Sequence, residues 1–505
     1  MNGNGQTIRM VARISGLLVL IWVNMAQGWD YSDILHHPLS LWTNLTQGRN
    51  FPDFLHDPMA AEPPILQVGL SLPGETTPMP CPPNVDLNQT LTLGDAVDLA
   101  LCNNAQLKEA WAEIKIQSGA LGETWATFMP SLTGTYSLLN STIQYPGFPS
   151  ANTSTVGHTA YLGFSWRLFD FGARMKNLEA SNQLLIAALA GHDATMQKVL
   201  VSVIGGYFDA MTSQAVMQAR TDSAGLAEET LDATRRREVR GVASIDDILQ
   251  AQTALAKARL GGQRAIGDYR KAVSVLKYAM GLREDIEIRL PGNVDTPRAQ
   301  VIADLKSWLA ATEKSHPAIL AAEAKLKAAQ AKIESVRAEG LPTVDFTYNF
   351  YQNGYPNQGL QATSSNTTML GVVLTIPFFD GFAHTYKVRG AQAQAEQTDA
   401  QLLDTEQQIL SEVVKAHADA LSSLDNLSAS QTLLEAAQAS VESSRKRYDK
   451  GAADILELLS AQAALADARQ ERIRCLAEWQ AARLRLLASA GMLGREQPLH
   501  EILAK

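Results

Sequence analysis

The sequence predicts a mainly α-helical chain that also contains four lipid-facing β-strands, built from two internal repeats. Three observations support this fold class. The pattern of helices, strands and turns recurs at an offset of about 210 residues, which indicates a duplicated unit. Four short segments alternate strictly between apolar and polar side chains, as strands do. Two runs of roughly 70 residues contain no proline and favour very long helices.

Residues 1–28 have the layout of a secretory signal. Two arginines precede an apolar run over residues 14–23, and the small residues Ala26 and Gly28 follow it. An N-terminal membrane anchor is the alternative, but the run is short for a membrane span. No cysteine directly follows the run as an acceptor for a lipid. No later stretch of about 18 apolar residues predicts a spanning helix, so we expect the mature chain to have none.

The region after the signal, residues 29–90, is predicted to be an irregular periplasmic extension. Residues 29–91 hold ten of the 20 prolines in the chain, and proline disfavours the interior of both helices and sheets.

The chain has three cysteines. In an oxidising compartment three cysteines allow one disulfide and one leftover thiol. Cys81 and Cys102 lie near the start of the repeated region, whereas Cys475 lies inside a long helical pattern. We expect Cys81 and Cys102 to pair, with three unpaired buried thiols as the alternative.

The two repeats are expected over residues 91–300 and 301–495, followed by a tail over residues 496–505. Each repeat has a helix, two strands and then two long helices. The pairs that match at an offset of 210 are Phe169-Asp170 with Phe379-Asp380, Asp209-Ala210 with Asp419-Ala420, and Gly241 with Gly451.

The strands are predicted at about residues 132–140, 159–168, 343–352 and 367–376. An ordinary antiparallel sheet over a soluble core would give the same alternation, and that alternative stays open. However, each segment is about ten residues long and has aromatic residues near its ends, as a lipid-facing barrel strand requires. Four strands cannot close a barrel, since small barrels need about eight. Several chains must therefore share one barrel.

The proline-free runs that follow Gly172 and Gly381 predict helices of roughly 100 Å, at about 1.5 Å per residue. Both runs are rich in alanine and other small residues, which suits close packing in an elongated coiled coil.

Charge and motifs exclude several classes of protein. The net charge of -9 argues against a nucleic-acid binder held by phosphate contacts. The histidines are dispersed without an H-E-x-x-H spacing, so we expect no metal site and no cofactor. The sequence has no phosphate-binding G-x-x-x-x-G-K-[ST] loop and no G-x-S-x-G nucleophile motif. An enzyme is therefore not expected.

Several short motifs occur in a fixed order along the chain. They are Leu91 to Ala100 (LTLGDAVDLA), Phe169-Asp170 and Phe379-Asp380 at the strand-to-helix junctions, and the turns Arg240 to Asp246 (RGVASID) and Lys450 to Ile455 (KGAADI). With the signal and the duplicated plan, these motifs resemble the TolC-like outer-membrane efflux proteins over about residues 91–493. Cys102-Asn103-Asn104 with an upstream cysteine is similar to the outer components of toxin or adhesin exporters.

The resemblance implies a homotrimer with a twelve-stranded β-barrel in outer-membrane lipid, four strands per chain, continued by an α-helical barrel across the periplasm. It implies a passive exit channel that receives cargo from an inner-membrane transporter, ABC or proton-driven, and a periplasmic adaptor, as in type I protein secretion. A multidrug or small-molecule efflux channel is the alternative. A pore-less periplasmic coiled-coil scaffold is the alternative of a different class.

The resemblance also implies a constriction at the periplasmic entrance, formed by Asp247, Asp454, Glu457 and Ser460. Family members carry two aspartates at the positions of Glu457 and Ser460, and the arginine that locks their entrance falls at Ala453. Like charges brought together by threefold symmetry should attract cations and resist full ionisation. The alternative is that these are solvated positions of a long helix.

The adaptor is expected to dock at the two helix-to-helix turns. The alternative is that the glycines there only reverse the chain. The residues of these turns are Arg240, Gly241, Val242, Ala243, Lys450, Gly451, Ala452 and Ala453.

Overall fold

The structure is a computed structural model that describes residues 57, 59–63, 89–292, 302–353 and 365–493. The chain divides into two units, Met1–Ala60 and Ala61–Lys505, and every element below belongs to the second unit. The expected signal and the expected tail lie outside the described residues, as does most of the proline-rich extension.

Each half of the described chain contains helices, a strand pair and two long helices, in the order that the sequence predicts. The helices are α1 (Leu93–Asn103), α2 (Ala105–Ala126), α3 (Ala173–Glu238), α4 (Ile245–Ala279), α5 (Leu305–Ser315), α6 (Pro317–Glu339), α7 (Ala383–Asp449) and α8 (Ile455–Ser489), and the strands are β1 (Ser131–Ile143), β2 (Thr153–Phe169), β3 (Thr343–Gln352) and β4 (Asn366–Thr375).

The four strands form one antiparallel sheet in the order β1-β2-β3-β4. β1 pairs with β2 from Ser131 opposite Ser165 to Ile143 opposite Thr153. Both strands are longer than the alternation predicts. The added residues of β2, before residue 159, are mostly polar and form no apolar face, but they complete the backbone ladder with β1. Backbone pairing therefore continues past the region that the apolar pattern marks.

The two faces of the sheet differ sharply in chemistry, because residues opposite each other in the register share a face. Leu132, Leu370 and Val372 on the apolar face are 63%, 69% and 64% exposed, so no part of the described chain covers it. This exposure argues against a sheet over a soluble core and favours contact with lipid. The apolar face carries Leu132, Leu162, Phe164, Trp166, Phe346, Tyr348, Leu370 and Val372, and the polar face carries Thr133, Thr135, Ser137, Tyr161, Gly163, Ser165, Arg167, Asp345, Thr347, Asn349 and Gly371.

An aspartate forms the junction between sheet and helix in each repeat. The buried Asp170 carboxylate accepts hydrogen bonds from the Gly172 and Arg174 backbone N–H groups, both at 3.2 Å, and from Arg174 Nε at 2.6 Å. Asp380 accepts from the His384 backbone N–H at 2.7 Å. A carboxylate at this position satisfies unpaired N–H groups at the start of a helix and complements its dipole. The repeated Phe-Asp motif therefore has a structural role.

The helices α3 and α7 contain 66 and 67 residues, so each is about 100 Å long. One apolar cluster joins four helices from both repeats. Val97 of α1, Leu200 of α3, Leu276 of α4 and Leu484 of α8 are at most 2% exposed within it. Burying each such side chain contributes about 1.5–3 kcal/mol. The repeats are thus fused through a shared core.

Among the described helices, α3 alone is long and apolar enough to cross a membrane by length and composition, over 18 residues of mean hydropathy 1.2. The sequence predicted no such stretch. Leu200, Val203 and Ile204 of α3 are fully buried in the cluster shared with α1, α4 and α8. Burial against protein accounts for their apolar character, as in the core helix of a soluble protein.

We predict that Asp170→Ala lowers the thermal unfolding midpoint of the purified protein in detergent, measured by circular dichroism. Loss of the helix cap alone costs about 1–2 kcal/mol, and Arg174 would keep a half-buried charge without its carboxylate. Asp380→Ala is the matched control, since the exposed Asp380 accepts one described bond and should shift the midpoint less. Equal shifts in the two variants would contradict this account of the junction.

Candidate functional site at the helix hairpin tips

The first hairpin tip reverses the chain between α3 and α4. Gly241 has φ of 73°, a left-handed conformation that favours glycine because it carries no Cβ. Its N–H donates to Glu238 O at 2.7 Å, and the Val242 N–H donates to Arg237 O at 3.0 Å. These two bonds close the last turn of α3, as in common helix C-caps. The tip is therefore a defined turn.

The second tip repeats this geometry between α7 and α8. Gly451 also has φ of 73°, and the Ala452 N–H donates to Arg447 O at 2.8 Å. A Cβ on either tip glycine would meet nothing within 4 Å. The constraint on Gly241 and Gly451 is therefore the backbone conformation, and a side chain there would strain the turn.

The sequence predicted Asp247 as a constriction residue, and in the structure it caps α4. Its carboxylate accepts from the Ser244 backbone N–H at 2.8 Å, and its own N–H donates to Ser244 Oγ at 3.1 Å. This reciprocal arrangement is a capping box. Asp454 occupies the equivalent N-cap of α8 but makes no such side-chain bond, and it is exposed.

Glu457 lies inside the second hairpin and is held there by two donors. Arg447 Nη1 lies 2.7 Å from its carboxylate, and Ser444 Oγ donates to the same oxygen at 3.2 Å. Ser460 is exposed one turn further along α8. The predicted constriction residues thus differ in their surroundings, since Glu457 is paired with a cation while Asp454 is exposed to solvent.

The two hairpins also meet in a contact that no local sequence pattern predicts. Arg237 of α3 donates from Nη1 to Tyr448 O at 2.9 Å, and its guanidinium lies 4.3 Å from the centre of the Tyr448 ring. The Tyr448 hydroxyl lies 3.4 Å from Thr234 Oγ1, and Tyr448 is buried. Stacking of a guanidinium on an aromatic ring adds about 0.5–2 kcal/mol. We call this contact of Arg237, Thr234 and Tyr448 the inter-hairpin clamp.

A second contact holds the hairpins together further from the tips. Arg220 of α3 donates from Nη2 to Asp467 at 3.0 Å and from Nε to Gln470 at 3.0 Å, both on α8. Gln462 of α8 donates to Thr230 Oγ1 at 3.0 Å. Polar side chains therefore connect the first-repeat helix to the second-repeat helix over the stretch from Arg220 to Thr230.

Comparison with known proteins agrees with this architecture. The sequence matches the family described as "Outer membrane efflux protein" over residues 96–282 and 308–492. The chain belongs to this family. It is 33% identical to Protein CyaE of Bordetella pertussis over 82% of this chain and 87% of that protein. It is 23% identical to the Proteases secretion protein PrtF of Dickeya chrysanthemi over 82% of this chain and 91% of that protein.

The fold is also that of solved outer-membrane channels. The Campylobacter jejuni CmeC outer membrane channel superposes with a TM-score of 0.71 at 16% identity, covering 86% of this chain and 98% of that one. This member of the outer membrane efflux family is therefore an outer-membrane exit channel with a long periplasmic helical region, as the sequence predicted.

The outer part of this channel's sheet is unusually free of charge. Between Glu123 and Arg167, and again between Asp345 and Asp380, the sequence contains no Asp, Glu, Lys or Arg. The two inner charges that bound these stretches pair on the polar face, with Arg167 Nε 2.9 Å from Asp345 Oδ1. The outer part of the described sheet therefore carries no ionised Asp, Glu, Lys or Arg side chain.

The cysteines are in different states. Cys475 is free and buried, and burial raises the pKa of its thiol. Cys102 is disulfide-bonded. Cys81 lies outside the described residues, so the pairing of Cys81 with Cys102 stays a prediction. In the part of the chain that the structure describes, no group of three or more His, Cys, Asp or Glu residues could hold a metal ion.

We predict that Arg237→Ala raises single-channel conductance in planar bilayers, because it removes the guanidinium that ties the second hairpin to the first. Lys446→Ala is the matched control, since Lys446 is an exposed cation near the second tip that pairs with Glu442 of its own helix. Conductance that is unchanged in Arg237→Ala, or raised equally in both variants, would contradict a restraining role for the clamp.

Proposed function

We propose that this channel is a homotrimer and the passive exit component of a tripartite export system, with protein cargo of the type I secretion class and no catalytic step of its own. The observation that carries the proposal is the incomplete sheet. Among the described strands, β1 and β4 each have one neighbour, which leaves backbone groups unpaired at both edges. Unpaired backbone groups are very costly in hydrocarbon, so membrane sheets close into barrels. Three copies would supply twelve strands.

The proposed cargo class rests on the relatives. PrtF is named as a secretion protein for proteases, and the closer identity is to Protein CyaE. Cys102-Asn103-Asn104 at the end of α1 agrees with this group. A pore-less scaffold would leave the exposed apolar face of the sheet unexplained.

The hairpin tips are the proposed docking surface for a periplasmic adaptor. The chain as a whole carries a net charge of -9, yet exposed basic residues cluster at both tips. Apolar side chains accompany these charges, since Val239 and Val242 are 84% and 64% exposed. Such a surface fits a partner with acidic and apolar residues on its contacting face. The exposed basic residues are Arg235, Arg236, Arg240, Arg445, Lys446, Arg447 and Lys450.

We expect the chain in outer-membrane fractions as trimers that resist detergent and separate into monomers on heating. Gly241→Val with Gly451→Val should keep the trimer but abolish crosslinks to the adaptor and export, because valine disfavours the left-handed turn. Gly225→Val is the control, since Gly225 is an exposed glycine within α3. Soluble periplasmic monomers would refute the channel assembly. Intact crosslinking and export in the tip variant would refute docking at the tips.

We further propose that Glu457 and Asp454 make the periplasmic entrance cation-selective. Threefold symmetry would bring six carboxylates around one axis. The Arg447 partner offsets part of the Glu457 charge, so the exposed Asp454 contributes more to the field in the pore than the sequence alone suggests.

We predict that Asp454→Ala with Glu457→Ala weakens cation selectivity and block by divalent or trivalent cations in planar bilayers. Arg447→Ala is the opposite control, because it frees the Glu457 carboxylate and should strengthen both. If reversal potentials and block stay unchanged in the double variant, these carboxylates do not determine the ion selectivity.

A further inference from the structure

One tyrosine on the polar face of the sheet lies across a glycine of the same strand. A Cβ built on Gly163 would lie 2.6 Å from Tyr161 Cζ and 3.0 Å from Tyr161 Cε1, and closer still to the Tyr161 hydroxyl. Real Cβ atoms do not approach other atoms so closely. Gly163 is buried although it faces away from the apolar side of a four-stranded sheet. The tyrosine ring therefore covers the backbone of its own strand.

The Tyr161 ring is held in this position from the neighbouring strand. Its hydroxyl donates to Asn349 Oδ1 of β3 at 2.9 Å. Tyr351, its partner in the register, packs against it with ring centres 5.1 Å apart. With Gly163 beneath the ring and Tyr351 beside it, the open direction for movement is away from the sheet. We call Tyr161, Gly163, Asn349 and Tyr351 the wall joint.

The wall joint lies toward the outer end of the sheet. Tyr161 is six residues along β2 from Arg167, a distance of about 20 Å at 3.3 Å per residue. The long helices follow the Arg167 end of the strand, so the joint is on the side of the cell exterior. The polar face lines the lumen of a membrane barrel. A tyrosine that left the wall there would project into the exit.

We propose that Gly163 sets the free width of the exit by giving the Tyr161 ring a place flat against the barrel wall. This inference rests on the proposed trimeric barrel, in which three copies of the joint surround one lumen. Gly163→Ala would push the ring away from the wall, break the bond to Asn349 and narrow the passage for bulky solutes. Small solutes would still pass. The role of Gly163 is one of positioning, since the cargo meets the ring and not the glycine.

A purely structural role for the joint makes a different prediction. Aromatic rings that cover glycines also stiffen sheets, and loss of that packing would lower heat resistance without changing access to the lumen. The two roles are therefore separated by a measurement of access from outside. The periplasmic entrance does not affect such a measurement.

The experiment uses Ser165→Cys, which puts a thiol on the exposed polar face deeper than Tyr161. Intact cells are labelled from outside with a small maleimide and with maleimides that carry polyethylene glycol of increasing mass. Cys475 gives little background, because it is buried and its thiol pKa is raised. We expect Gly163→Ala to slow labelling by the largest reagents severalfold and to leave the rate of the small reagent unchanged.

Two further variants make the test specific. Gly371→Ala is the matched control, since Gly371 lies on the same polar face in β4 and a Cβ there meets nothing within 4 Å. It should label as the parent does. Tyr161→Ala with Gly163→Ala removes the displaced ring and should restore the rate of the large reagents.

The outcomes distinguish the inference from the function on which it rests. If the small reagent does not label Ser165→Cys from outside, the polar face does not line an exit and the proposed barrel is wrong. If the small reagent labels the parent, but large reagents label Gly163→Ala as fast as the parent, the barrel stands and the width role of Gly163 is refuted. If Gly163→Ala slows labelling by the large reagents and the added Tyr161→Ala does not restore the rate, the width role of Gly163 is also refuted.

Discussion

The unpaired backbone at the two edges of one four-stranded sheet is the constraint on which the rest of this structure depends. In hydrocarbon each such group costs several kcal/mol, and no element of the described chain covers either edge strand. The exposed apolar face also favours a membrane setting, because apolar side chains are unfavourable in contact with water but not in contact with lipid. A single chain therefore cannot satisfy its own sheet. Assembly with further copies follows from backbone chemistry before any particular interface contact is considered.

At the periplasmic end of the sheet, two junctions connect the strand pairs to the long helices that follow them. Asp170 directly follows β2, and Asp380 lies five residues after the end of β4. Each accepts from a backbone N–H in the first turn of the helix that follows, and these two helices are about 100 Å long. None of the apolar clusters in the described chain runs the full length of α3 or α7. These helices are stabilised by separate apolar clusters along their length and by polar contacts such as those of Arg220 with α8.

The two repeats share one backbone plan but use equivalent positions differently at the tips. Arg237 and Arg447 are 210 residues apart, and the first reaches Tyr448 of the other hairpin while the second binds Glu457 of its own. Asp247 and Glu457 have the same separation, and the first caps a helix while the second accepts from an arginine. The two hairpins thus have similar backbones, but a few of their side chains differ. One of these side chains, Arg237 of the first hairpin, binds the second hairpin.

The amino-acid sequence by itself determined the duplicated plan, the alternating strands, the long helices and the two glycine turns. A local pattern predicts each of these features. Alternation with a period of two predicts a strand with one lipid-facing side, a long run without proline predicts a helix, and a glycine between two helices predicts a turn with positive φ. The sequence did not predict the full length of the backbone pairing. The polar residues before residue 159 of β2 show no apolar alternation, yet they complete the ladder with β1.

Only the tertiary structure decided which side chains meet across long separations. Arg237 and Tyr448 are more than 200 residues apart, and nothing in the local sequence of either marks the other as its partner. The same holds for Tyr161 and Asn349. Gly163 resembles any glycine in a strand until the ring that covers it is in place. Such contacts depend on strand register and helix packing, which are properties of the whole fold, so residue type and spacing could not reveal them.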